Sequence, residues 1–147
     1  MTLAEARVRF VEPFDLSATR PRLFDALVAF VDTLRTAGVT GTLWLDGSFV
    51  TEKINPNDID LVMFVALTHF EALPHAGRLA VQSAGEPQDG GLDNYLSVDY
   101  PAGHAKHRLS REMRAYWWRQ FSRGEPGDTG KSRAKGIAVV EFGPGAA

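Results

Sequence analysis

Two apolar runs joined through a glycine-serine turn constrain this chain more than any other feature. Thr42-Leu43-Trp44-Leu45 leads into Asp46-Gly47-Ser48, and the run from Ile59 to Val65 follows Asn57-Asp58, with a single acid, Asp60, inside it. Short runs of this composition, bounded by Gly, Pro and Asn, predict two β-strands. Strand alternation puts Asp58 and Asp60 on one face and Ile59 and Leu61 on the other. A sheet built on this pair is greasy on one side and must keep its acidic side open.

The rest of the chain supplies the cover. Leu23, Leu27, Phe30, Val31 and Leu34 recur at helical spacing between Pro21 and Thr36, with Ser17 or Thr19 near the start and Gly38 just past the end. Residues Thr68 to Ala84 predict helix broken at Pro74. Gly85 to Gly91 reads as a loop, Tyr95 to Tyr100 as a strand, His107 to Ser122 as a helix, Ser122 to Ala134 as a mobile loop and Gly136 to Phe142 as a last strand. The expected fold is α+β: a small mixed β-sheet with helices packed mainly on one side. A length of 147 residues and 44% hydrophobic content suit one domain over 1–147, with 1–16 and 143–147 as flexible tails.

Carboxylates two apart on a strand beside a small-residue turn are suited to holding a triphosphate and a divalent metal side by side. Magnesium takes oxygen ligands in octahedral geometry and commonly bridges one or two carboxylates and substrate phosphates. Two such ions can activate an attacking hydroxyl and stabilise the leaving oxygen. Gly47 would let phosphate approach the backbone, Ser48 would offer a hydroxyl, and a short helix starting at Phe49 would point its positive end at the anion. A plainer reading exists: Asn55-Pro56-Asn57-Asp58 is turn chemistry, and Asp58 alone could cap the strand. The Gly47-Ser48 turn just upstream favours the nucleotide site.

Gly47-Ser48, nine intervening residues, then Asp58-Ile59-Asp60 in a hydrophobic strand resembles the signature of the polymerase-beta-like nucleotidyltransferase superfamily, especially its minimal stand-alone members. The fuller string GSFVTEKINPNDIDLV resembles a small bacterial family within that group, whose members also carry an aromatic Tyr-Trp segment and a Lys-Gly-Ile strand. Tyr116-Trp117-Trp118 and Lys135-Gly136-Ile137 match, so the resemblance covers residues 42 to 142. It implies transfer of a nucleoside monophosphate from a nucleoside triphosphate to an acceptor hydroxyl on protein, RNA or a small molecule, with Mg2+ or Mn2+ as cofactor. Asp58 and Asp60 would hold the nucleotide-bound metal. A third carboxylate on a later strand would complete the cluster and activate the acceptor; Asp99 is the best match, and Asp93, following Gly90-Gly91, reads as a turn residue. Gly47, Ser48 and Lys53 would bind the nucleotide. Minimal members lack the module that grips a substrate, so a partner protein, as in toxin–antitoxin pairs, is implied.

Other signals are weaker. His104 and His107 read as surface histidines, and at least one of Trp117 and Trp118 as a core anchor, although either could stack on a base. Lys131, Arg133 and Lys135 read as a solvated basic segment that could meet phosphates. Gly130-Lys131-Ser132 is no P-loop, since Glu125 stands where the first glycine belongs. A formal charge of −2 gives no global field for nucleic acid. The absence of cysteine excludes disulfides and zinc-thiolate sites. No segment reaches membrane-spanning length and the first ten residues lack a signal-peptide core, so a cytoplasmic protein is expected. A non-catalytic nucleotide-binding or antitoxin-like module is the alternative to an enzyme.

Overall fold

The computed structural model describes residues 1–126, 132–134 and 136–144, with the backbone alone over 123–126 and 132–134. Helix α1 (Leu3–Phe10) opens the chain where a flexible tail was expected. Its start is fixed by a capping box, in which the Glu5 amide donates to Thr2 Oγ1 (3.1 Å) and the Thr2 amide to the Glu5 carboxylate (2.7 Å). Leu3, Ala6 and Phe10 form its buried face, and that burial orders the segment. Helix α2 (Arg20–Thr36) has Pro21 in its first turn, where no amide partner is required, and buries the expected Leu23, Leu27, Phe30, Val31 and Leu34.

Strands β1 (Gly41–Asp46) and β2 (Ile59–Ala66) pair antiparallel, and β2 runs parallel to β3 (Leu92–Asp99). The crossover between the parallel strands holds α3 (Leu67–Ala72) and α4 (His75–Ala84), separated at Pro74 as expected. Helix α5 (His107–Ser122) follows β3, and the chain returns through β4 (Arg123–Pro126), β5 (Ser132–Ala134) and β6 (Ala138–Phe142). The main sheet has the order β3-β2-β1-β6. The stretch expected as a loop after Ser122 pairs part of its backbone instead, β4 with β5 as a separate antiparallel ribbon. Backbone amides satisfied by a nearby strand outweigh the poor strand propensity of Gly and Pro there. Lys131, Lys135 and most of the Gly-Lys-Ser stretch lie outside the described residues, as does the tail beyond residue 144.

Each face of the sheet has its own cover. Leu43, Leu45, Ile59, Leu61, Met63 and Val65 face the main core, built against α1, α2 and α4. Val62 and Phe64 face the other way and pack with Phe121 of α5, alongside Trp44 and Trp117. The architecture is α+β, with four helices on one side and α5 laid across part of the acidic side. Among the described residues no helix is long and apolar enough to cross a membrane.

Candidate functional site

Pairing register places three carboxylates in a row. Asp46 on β1 stands opposite Asp60 on β2, and Asp60 stands opposite Asp93 on β3. Directly opposed residues project from the same face of a sheet. The row therefore lies on the α5 side of the sheet. Asp58 is exposed one step before β2 begins. A cavity of about 280 Å³ opens here, lined by Asp46, Asp60, Asp93 and Tyr95 from the sheet and by Tyr116, Trp117, Gln120 and Phe121 from α5. None of the described lining residues is basic.

The electrostatics follow from that crowding. Burial pushes the Asp60 carboxyl up to about 6, and the charge of Asp58, the charge of and a hydrogen bond with Asp93, and the charge of Asp46 push the same way. The Tyr95 phenol is raised mainly by the Asp93 charge, then by burial, a hydrogen bond with Asp93 and the charge of Asp60. A bound cation would relieve this repulsion, so the residues present fit a divalent metal. Among the described residues no three His, Cys, Asp or Glu side chains form a ready-made metal cage. Magnesium rarely needs one, because waters and substrate phosphates complete its shell.

Gly47 is required, for a reason that differs from the expected one. Its φ is +83°, and a Cβ there would stand 2.8 Å from Asp60 Oδ2. The missing side chain makes room for the carboxylate of its own site. Ser48 begins a 3-10 turn, Ser48–Val50, rather than the expected helix from Phe49. Phe49 is buried against Phe10 (5.8 Å between ring centroids), which draws the chain inward after one turn. Three residues are too few for a helix dipole, so any phosphate contact here is made by individual donors.

Arg20 holds this loop, and nothing in the pattern of the sequence singled it out. Its buried guanidinium donates to the carbonyls of Phe10 (2.7 Å), Phe49 (2.6 Å), Thr51 (2.7 Å) and Lys53 (2.5 Å from Nη2) and lies 3.6 Å from the centre of the Phe14 ring. Burial lowers its pKa from the usual value. Farther along, the Asn55 carboxamide oxygen accepts from the Ala18 amide at 2.8 Å. Lys53 is exposed, with only its backbone pinned by Arg20.

Asp99 does not join the other acids, which corrects the expectation for the third carboxylate. It pairs in register with Ala66, six residues beyond Asp93 on the same strand, so about 20 Å from the cluster. There it forms an ion pair with Arg114 of α5, whose guanidinium also lies over the Phe64 ring at 4.2 Å. Beside it, Ser110 Oγ accepts from the Tyr100 amide at 2.7 Å. Asp99 thus docks α5 to the sheet. Asp93, expected in a turn, is the second residue of β3 and occupies the position beside Asp60. The alternation Leu92, Asn94, Leu96 against Asp93, Tyr95, Ser97 carries that signal: the turn ends at Gly91, and the strand begins two residues before Asn94.

The tryptophans divide as expected. Trp117 packs against Tyr95 (4.8 Å) and Phe121 (5.5 Å), while Trp118 is 56% exposed. His104 is exposed and stacks on Tyr100, in keeping with a surface histidine. Asp46, given no role from sequence, forms the buried end of the acidic row.

Neither a search of curated proteins nor one of solved structures finds a match to this chain. Residues 1–141 match the model described as "Family of unknown function (DUF6932)", and with nearly the whole chain inside that match the protein belongs to this family.

Proposed function

We propose that the protein is a metal-dependent nucleotidyltransferase, moving a nucleoside monophosphate from a nucleoside triphosphate to an acceptor hydroxyl. The observation that carries this reading is the register of Asp60 beside Asp93, with the Gly47 turn against the Asp60 carboxylate. The resemblance of the Gly47-Ser48 and Asp58-x-Asp60 pattern to the polymerase-beta-like superfamily supports it.

Asp58, Asp60 and Asp93 would hold magnesium or manganese. A divalent cation there supplies neutralising charge for the triphosphate and draws electrons from the phosphorus under attack. Ser48 provides a hydroxyl donor for the phosphate tail, and Lys53 on the same loop provides positive charge for the departing pyrophosphate. Trp117 and Tyr116 give the base a stacking surface, and the Gln120 amide gives its edge a donor and an acceptor. Asp93 takes the proton of the acceptor hydroxyl. The cytoplasm, which supplies triphosphates and magnesium, is the proposed compartment, and a partner protein of the toxin–antitoxin kind is a proposed source of acceptor.

Calorimetric titration of magnesium and nucleoside triphosphate tests the site. Wild-type protein binds and the Asp60→Ala variant does not, with its circular dichroism unchanged; equal binding by both would remove the proposal. Binding without transfer of label to any acceptor would assign the chain to the non-catalytic module instead.

A further inference from the structure

The acidic cavity contains two phenols, and one of them is placed as a substrate would be. Tyr95 follows Asp93 by two residues on β3, so both side chains leave the same face of the sheet. Asp93, Tyr95 and Asp60 line the same cavity, so the phenol and the carboxylates open onto one space. The Tyr95 ring is held by Trp117 at 4.8 Å between centroids, yet remains 43% exposed, which is unlike a core anchor. Tyr116 reaches the same cavity from α5, and Tyr100 lies beyond the far end of β3, stacked on His104.

Resting on the nucleotidyl-transfer reading, we infer that the Tyr95 hydroxyl is itself an acceptor, so that the protein nucleotidylates its own chain at this position. The bond that forms joins Tyr95 Oη to the α-phosphorus of a nucleoside triphosphate. The bond that breaks joins the α-phosphorus to the oxygen bridging to the β-phosphorus, and pyrophosphate leaves with that electron pair. The phenolic proton passes to Asp93, two residues back on the same face of β3 and in the same cavity. No redox partner or further reactant is required. An acceptor built into the same strand as the proton-accepting carboxylate has its orientation fixed by the fold, which removes the entropy cost of bringing a second molecule into the cavity. The product is a tyrosyl phosphodiester that fills the cavity and blocks a second triphosphate.

The test incubates the full chain with an equimolar mixture of the four ribonucleoside triphosphates and magnesium, then manganese, followed by intact mass measurement and tandem mapping. The expected result is addition of one nucleoside monophosphoryl group, mapped to Tyr95, absent in Tyr95→Phe and in Asp60→Asn, and retained in Tyr100→Phe. A second readout is alkaline difference absorption of the modified, unfolded chain, which falls from three ionising phenols to two. Label mapped to Tyr116 or elsewhere, or undiminished in Tyr95→Phe, overturns the inference. Calorimetric binding of a non-hydrolysable triphosphate with magnesium, without any mass addition, overturns it while leaving the nucleotide site standing; absence of that binding removes both.

Discussion

Replacing Asp60 by Asn should make the protein more stable while destroying its site. The Asp60 carboxyl ionises at about 6 in the folded chain against an ordinary value of 3.8. That gap corresponds to a penalty of about 3 kcal/mol for charging Asp60 in the native state. The group is only half-buried, and solvent screening reduces the measurable part to about 1–1.5 kcal/mol. The sign follows from proton counting: between pH 3.8 and about 6 the native state retains a proton that the unfolded chain has lost. Stability therefore falls as pH rises through this window, and the relief of protonation is fully present only below it. Asparagine has the same shape and no charge. Urea unfolding followed by circular dichroism, with a chelator present, should show the variant equal to wild type near pH 4 and more stable by about 1–1.5 kcal/mol at pH 8. No gain at pH 8, or the same gain at both values, would refute the crowding of carboxylates around Asp60.

Three further outcomes test the surrounding geometry. Gly47→Ala combines a positive φ with a Cβ 2.8 Å from Asp60 Oδ2; it should cost about 1–2 kcal/mol in thermal unfolding and weaken magnesium-dependent nucleotide binding. Arg20→Met leaves the carbonyls of Phe10, Phe49, Thr51 and Lys53 without their donor, for a loss of about 3–5 kcal/mol and faster proteolysis within residues 48–58. Asp99→Ala should cost at most about 1 kcal/mol and leave nucleotide binding intact, whereas Asp93→Asn should fold and lose binding, a contrast read by calorimetry on the two variants together.

The parts of the fold written in local patterns were legible. The periodicity of α2, the apolar runs of β1 and β2, and the break at Pro74 each follow from residues adjacent in sequence. The failures share a cause. The α1 segment is short and half polar, and it becomes ordered by burying Leu3, Ala6 and Phe10 in a core assembled from distant residues. Arg20 looks like any charged residue at a helix start until the loop carrying Phe49, Thr51 and Lys53 folds back over it. Gly47 was rightly singled out, but the atom that requires it belongs to Asp60, thirteen residues away.

The third carboxylate marks the boundary most clearly. By itself the sequence determined that a turn rich in small residues precedes a strand bearing Asp60 and that a later strand carries Asp99, with Asp93 read as a turn residue. The structure starts that strand at Leu92, so it carries an acid near each end. Which end lies beside Asp60 depends on the direction and register of β3 against β2, and tertiary structure alone decided it. The crossover through α3 and α4 makes the strands parallel, so their beginnings meet and Asp93 falls opposite Asp60. The physical reason is that strand alternation specifies which face a side chain takes, whereas its position along a neighbouring strand is set by long-range packing that no local spacing encodes.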